Sequence, residues 1–291
     1  MSRIGRGVAP ATAGELVQGT IDGQDFLITS PINLFSHTTA EVFHRREIQV
    51  LPKGDYLKVE QAVRKLLDVF DSGLGARIQF HSSIPRGKGL ASSTSEMLAA
   101  MRAVLKASGS QATPIQLARI ATEVESSDAL FFPGVVRSNP LTGELFESYG
   151  PPPPLGFVLV DTGGEVSTAQ FDRARAREHA GMNENRLRIA VDLVREGFKK
   201  RVPKLIAKGA TLSAEIHQGV LYKAPFKELM EGTKEVGALG VNCAHTGTVL
   251  GVMFDPRHTS SLRLERRVGE IVGPSAILGT FRLIGSDTRV A

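Results

Sequence analysis

The chain has 291 residues, 42% hydrophobic and 22% charged, which is enough to bury a large core as one domain or two. Its single cysteine, Cys243, excludes an intrachain disulfide framework and a cysteine-based zinc site. A formal net charge of +5, with no tight Lys/Arg block and no tryptophan, suits a polyanionic nucleotide as well as nucleic acid, so charge alone does not choose between them.

At the N-terminus, no apolar run follows the basic residues Arg3 and Arg6, so no signal peptide is expected. No stretch of the chain reaches the roughly 20 apolar residues of a membrane helix. The expected compartment is the cytoplasm. Residues 8–19 are mostly small and include the pair Gly14-Glu15, which predicts tight backbone packing with a turn or bulge at Gly14. Residues 26–31 and 38–43 read as strands. Val59, Val63, Leu66, Leu67 and Phe70 recur at helical spacing, and Asp71-Ser72-Gly73 ends that helix. The alternation over residues 76–80 predicts another strand.

The stretch Pro85-Arg86-Gly87-Lys88-Gly89-Leu90-Ala91-Ser92-Ser93-Thr94-Ser95 follows that strand. It precedes a helix predicted over residues 96–107 from Met97, Leu98, Met101, Val104 and Leu105. A glycine turn with hydroxyl residues at a helix start is suited to an anion. Glycine lets the backbone come close, and first-turn amides with no helical partner point outward, where the helix dipole favours negative charge. The stretch is neither G-x-x-x-x-G-K-[ST] nor G-x-G-x-x-G. The plain alternative is a glycine loop with an ordinary hydroxyl cap. Lys88 either neutralises phosphate or faces solvent.

A second helix is predicted over residues 114–125, with Thr113 as N-cap and Pro114 in its first turn. Its end carries Glu123, Glu125 and Asp128, of which Glu123 faces away from Glu125 and is expected in solvent. Gly150 and prolines 151 to 154 cannot enter a helix or a central strand and mark the clearest boundary. Beyond it, residues 155–161 start a buried strand. Stripes at Leu187/Val191/Val194/Phe198, Leu205/Leu212/Ile216 and Phe226/Leu229/Met230 read as helices, as does Leu264/Val268/Ile271/Val272. Residues 249–254 and 281–284 read as strands, and residues 240–251 begin as a small-residue loop containing Cys243, His245, Thr246 and Gly247. Several helices against few strands predict an α+β layer.

Pro85-x-x-x-Gly89-Leu90-Ala91-Ser92-Ser93-Thr94 resembles the phosphate-binding motif of the GHMP kinases, usually Pro-x-x-x-Gly-Leu-Gly-Ser-Ser-Ala. Ala91 and Thr94 depart from that form. The resemblance implies an α+β GHMP kinase fold. Residues 1–150 would be an ATP-binding domain like ribosomal protein S5 domain 2, and residues 151–291 a ferredoxin-like domain. ATP and Mg2+ are the implied cofactors. Pro85 through Ser95 (Pro85, Arg86, Gly87, Lys88, Gly89, Leu90, Ala91, Ser92, Ser93, Thr94, Ser95) would bind the nucleotide. Ser92 or Ser93 would supply a hydroxyl to magnesium or phosphate, and Ser92 matches the first serine of the family motif. Glu125 matches the magnesium-binding carboxylate. Asp128, Ser92 and Lys88 are the candidates for the chemical step, and Asp128 either accepts the hydroxyl proton or binds a substrate amino group. Gly14-Glu15 stands where the family has Gly-Glu-His, with Leu16 at the His position; Glu15 contacts substrate or is structural. His245, Thr246 and Gly247 fall in the third family motif as candidate substrate contacts.

One branch fits several features at once. Pro10-Ala11-x-x-Gly14-Glu15-Leu16-x-Gln18-Gly19, Ser82 to Thr94, Glu125-x-x-Asp128, the four prolines and Asn242-x-Ala244-His245-x-Gly247 resemble the L-threonine kinases of cobalamin synthesis. That implies transfer from ATP to the L-threonine side-chain hydroxyl, giving O-phospho-L-threonine for the aminopropanol linker of the nucleotide loop. The partners implied are ATP and a small-molecule substrate, without nucleic acid or membrane. Homoserine or isoprenoid-alcohol kinases, and a non-catalytic nucleic-acid-binding module, are the alternatives. No residue chemistry in the sequence separates threonine from homoserine.

Overall fold

A computed structural model describes residues 3–52, 54–164 and 171–286. The chain is α+β, built on one mixed sheet whose strand order is β10-β7-β9-β8-β1-β2-β4-β3, with β5 beside β2 and β6 beside β5. The strands are β1 (Arg3–Ile21), β2 (Gln24–Phe43), β3 (Ile48–Leu51), β4 (Gly75–Ser82), β5 (Val135–Ser138), β6 (Leu145–Gly150), β7 (Gly156–Asp161), β8 (Ala238–Cys243), β9 (Val249–Phe254) and β10 (Ile277–Arg282). The helices are α1 (Leu57–Phe70), α2 (Ser92–Ser108), α3 (Pro114–Thr122), α4 (Arg173–Met182), α5 (Glu184–Lys200), α6 (Pro203–His217), α7 (Phe226–Gly232) and α8 (Ser261–Val272). None of them is long and apolar enough to cross a membrane.

Strands β1 and β2 form a long antiparallel hairpin, with register shifts between Thr12 and Glu15. The bulge expected at Gly14 is there, with φ +72°. The strands themselves run far beyond the expected spans: residues 26–31 and 38–43 are two parts of one strand. Nearly every residue of β1 from Ala9 to Gln18 is buried, so both faces are covered and no alternation marks them in the sequence.

Helix α2 is the hub of the first half. It is buried from Thr94 to Leu105, apart from Arg102, because it lies between the sheet and helices α1 and α3. Its contact with β1 is backbone to backbone: a Cβ on Gly7 would stand 2.0 Å from the Ala99 carbonyl oxygen. Two changes from expectation follow. Helix α2 begins at Ser92, four residues before the predicted start, since its hydroxyl-rich first turn carries no apolar stripe. Helix α3 has its expected capping box, with Thr113 and Gln116 bonding reciprocally, but ends at Thr122 rather than Glu125.

In the second half, the part of residues 240–251 expected as loop is strand β8 as far as Cys243, then a turn, then β9. The last strand lies at Ile277–Arg282 rather than 281–284. Gly150 and the prolines lie between β6 and β7. The sheet passes this point without a break, through the β1–β8 pairing at Glu15 and Cys243 and Asn242 Nδ2, which donates to the Ala13 (2.7 Å) and Glu15 (3.1 Å) carbonyls. One core cluster spans both halves, from Ala11 and Leu16 to Leu187, Met253 and Leu283.

Candidate active site

The first turn of α2 opens onto a cavity lined by Arg86, Gly87, Gly89, Leu90, Ala91, Ser92, Ser93 and Thr94 from the glycine stretch. The backbone there is bent for the purpose: Gly87 and Gly89 have φ +72° and +86°, and Ala91, the N-cap, sits in the left-handed region at φ +56°. Glycine adopts that region freely, whereas alanine there is strained by about 1–2 kcal/mol. The turn is clamped from behind. Thr248 and Val249 amides both donate to the Lys88 carbonyl (3.0 and 3.2 Å), and a Cβ on Gly247 would stand 2.4 Å from that oxygen.

Three residues of the stretch do not reach the cavity. Ser95 is fully buried and its hydroxyl donates to the Ala9 carbonyl at 3.0 Å, tying α2 to β1. Lys88 turns to the other side: its ammonium pairs with Asp161 (2.9 Å) and donates to the Gly164 carbonyl (2.7 Å). Although burial disfavours its charge, Asp161 is held below the usual carboxylate range by the Thr248 hydroxyl and Lys88. Lys88 is thus a staple between the glycine turn and β7, not a free cation for phosphate. Pro85 shapes the turn from outside the lining, and Gly247, expected as a substrate contact, is packed against Gly89.

The carboxylates converge on the same cavity. Glu125 is held past the end of α3 by its backbone N–H, which donates to the Ala121 carbonyl (3.0 Å); its carboxylate accepts from the Ser93 hydroxyl and pairs with Lys58 at 2.5 Å. Ser93 is therefore the serine touching Glu125, while Ser92, the preferred candidate, lines the cavity beside it. Glu123 is exposed and paired with Lys65, as expected. The Thr94 hydroxyl both donates to Asp128 Oδ2 and accepts from its amide, each at 3.3 Å, so the departure at Thr94 orients Asp128.

Glu15 and Asp128 form a buried carboxyl pair. Burial, and next the Asp128 charge and its hydrogen bond, push Glu15 well above the usual carboxylate range; the Thr29 hydroxyl only partly offsets them. Burial also raises Asp128, against hydrogen bonds from Glu15 and Thr94. If Glu15 were ionised, its buried Oε2 would have no donor. With a proton it becomes the donor to Asp128. Burial and the facing Asp128 carboxyl thus favour the protonated form of Glu15.

The far wall carries residues with no local sequence signal. Tyr56, Lys58 and Asp55 come from the start of α1. Arg86 lies 4.4 Å over the Tyr56 ring, bonds the Asp55 carbonyl (3.1 Å), and pairs with buried Glu96 at 2.8 Å. Arg173, His245 and Thr246 close the cavity from the second half.

Residues 57–132 match the GHMP kinases N terminal domain. Over 90% of its length and 86% of the relative's, it is 28% identical to an L-threonine kinase from Salmonella typhimurium. Among solved structures, it resembles a homoserine kinase from Cytophaga hutchinsonii with TM-score 0.74 at 17% identity, over 97% of this chain and 95% of that one. A structure described as MDDEF in complex with MVAPP, AMPPCP and magnesium matches with TM-score 0.69 at 14% identity, over 98% of each chain. These structures share the GHMP kinase fold with the present chain. The family match covers α1, the glycine turn, α2, α3 and Asp128, so of the carboxylates lining the cavity Glu96, Glu125 and Asp128 lie within the matched span, and Glu15 and Asp55 outside it. Of the residues that sequence reasoning missed, Lys58 falls within that span, whereas Tyr56 and Arg173 lie outside it.

Proposed function

We propose that the chain is an ATP-dependent kinase that phosphorylates the side-chain hydroxyl of L-threonine, giving O-phospho-L-threonine. The observation that carries this reading is one cavity holding the first turn of α2, Glu125 and Asp128 together, in a chain aligned along most of its length with an L-threonine kinase. The homoserine kinase neighbour shares the fold and not the identity, so threonine is favoured as acceptor.

The α2 amides and dipole favour the phosphates of ATP. Ser93, Ser92 and Glu125 offer hard oxygen ligands that suit magnesium. Among the described residues, no cluster of three His, Cys, Asp or Glu side chains could hold a metal. That fits an ion taking most of its ligands from phosphate and water. When bound, it neutralises charge on the transferring group. Lys58 already offsets the charge of Glu125. Asp128 accepts the proton of the threonine hydroxyl as the oxygen attacks phosphorus. Thr94 and protonated Glu15 aim it, and its raised pKa makes it a better base than an ordinary aspartate. The link to cobalamin nucleotide-loop synthesis rests on the motif resemblance.

The test is ADP release from ATP and magnesium with L-threonine, L-homoserine, mevalonate and sugars as acceptors. Threonine-dependent turnover is expected, falling about 10²–10⁴-fold in Asp128→Asn and falling also in Ser93→Ala, with far-UV circular dichroism unchanged. Turnover with homoserine or an isoprenoid alcohol alone rejects threonine and keeps the kinase. No turnover, with salt-sensitive RNA binding, rejects the kinase.

A further inference from the structure

The site continues beyond Asp128 into a second cavity, whose lining includes Gln18, Asp25, Phe171 and His217. Leu27, Arg173 and His245 line both cavities and so stand at their junction.

Most charge in the second cavity is already matched. Asp25 pairs with Arg177 at 2.7 Å and accepts from the Thr20 hydroxyl at 2.8 Å. His217 is neutral, since burial first, and then the neighbouring His245 ring and Lys223, disfavour its protonated form and hold it well below the ordinary histidine value; its Nε2–H donates to the His245 carbonyl at 2.9 Å. Arg173 remains. It is half-buried and has no hydrogen-bond or ion-pair partner among the described residues. A half-buried guanidinium without a partner calls for an anion, and its planar fork matches a carboxylate.

The proton on His245 is fixed by its neighbour. Gln18 Nε2 reaches the Cys243 carbonyl (3.4 Å) and Sγ (3.3 Å), which turns Gln18 Oε1 to His245 Nδ1 at 2.6 Å. An amide oxygen only accepts, so Nδ1 carries the hydrogen. Burial, and after it the Arg173 charge, lowers the ring pKa to about 4, so the ring is neutral at physiological pH. Nε2 is then a bare acceptor, and no described residue donates to it. Phe171 packs against the ring at 4.7 Å and fixes its plane.

We propose that Arg173 and His245 grip the two charged ends of an α-amino acid: the Arg173 guanidinium takes the carboxylate, and His245 Nε2 accepts from the ammonium, leaving the side-chain hydroxyl toward Asp128. This assignment rests on the amino-acid kinase reading and adds to it the residues that recognise the acceptor. It also frees Asp128 from binding the amino group. Sugars and isoprenoid alcohols lack one or both charged ends, so the same pair sets specificity.

Truncated acceptors separate the two contacts. L-Threoninol lacks the carboxylate, and 3-hydroxybutyrate lacks the ammonium. Arg173→Ala is expected to raise KM for L-threonine on the order of 30-fold or more, with KM for ATP unchanged, and to cause no such penalty with L-threoninol. His245→Phe is expected to cost about tenfold with L-threonine and nothing further with 3-hydroxybutyrate. Equal penalties with full and truncated acceptors overturn the assignment. So does an Arg173→Ala effect on KM for ATP alone, which would place the guanidinium on phosphate. Should either variant fail to fold, the wild-type enzyme decides: equal kcat/KM for L-threonine and both analogues overturns it. Wild-type turnover of L-threonine with any of these failures leaves the kinase reading standing, whereas a wild type that phosphorylates no amino acid removes that reading first.

Discussion

Glu15 shows what one buried proton does to a fold. In the unfolded chain its carboxyl releases that proton near the ordinary value of 4.5, and in the folded protein only at a well higher pH. Its stabilising contribution is therefore complete below the unfolded value and is lost as pH rises through the raised native one. Glu15→Gln keeps the shape and a donor and cannot ionise. The variant is predicted to gain on wild type in urea midpoint as pH rises from the ordinary carboxylate value through the raised native one; a difference independent of pH would falsify the raised Glu15 carboxyl. Ala91 gives a second prediction. Since it holds a left-handed backbone, Ala91→Gly should raise stability by about 0.5–1 kcal/mol, read from urea unfolding. At this scale the sequence showed the glycine stretch, Glu125 and Asp128, because their spacing along the chain is their motif. It could not show Lys88 turned to Asp161, which lies 73 positions on and announces nothing locally. Nor could it show Arg173, or Ser93 in preference to Ser92: both depend on which way a side chain points after folding.

At the scale of elements, the site is two turns pressed together. The glycine turn before α2 and the turn between β8 and β9 meet at the Lys88 carbonyl with no room for a side chain. Gly247→Ala places a Cβ 2.4 Å from that oxygen and 2.5 Å from Gly89 Cα, at φ +144°. It should cost roughly 2–4 kcal/mol and weaken ATP binding. Gly23→Ala is the control, since Gly23 has φ +73° but nothing within 4 Å. It should cost about 1 kcal/mol and leave ATP binding intact. Equal losses in the two variants would mean that backbone strain alone, and not the junction, is at work. Most helices were readable, because each buries one stripe: Val59, Val63, Leu66 and Leu67 of α1 all lie in the core. The long strands were not. β1 is buried on both faces and rich in Gly and Ala, so it shows neither alternation nor branched side chains, and the start of α2 has polar hydroxyls where a helical stripe would be sought.

At the scale of the molecule, residues 1–150 and 151–291 share a sheet and a core. Alongside the β1–β8 contact, the Ser286 hydroxyl donates to the Phe132 and Gly134 carbonyls, and Ile32 bridges to Leu283. We predict one cooperative thermal transition, with near- and far-ultraviolet circular dichroism superimposing. We further predict that residues 1–150 expressed alone will not fold stably, since Ala11, Leu16 and Phe26 would lose the partners that cover them. Two resolved transitions would instead make the halves independent domains. The proline run was legible as a connection, but a break in composition says nothing about hydrogen bonds that later close across it.

The stack of Arg86, Tyr56 and Phe80 also bears on how the protein can be watched. Tyr56 lies 5.1 Å from the Phe80 ring on one side and under Arg86 on the other, at the edge of the first cavity. The chain has three tyrosines and no tryptophan. Tyr222 is in solvent, and Tyr149 donates its hydroxyl to Glu147 away from the site. Light absorbed and emitted by the unmodified protein is therefore tyrosine light, one third of its sources seated where a nucleotide would arrive. Occupancy can be followed by emission without a label, and Tyr56→Phe identifies the part of the signal that belongs to the site.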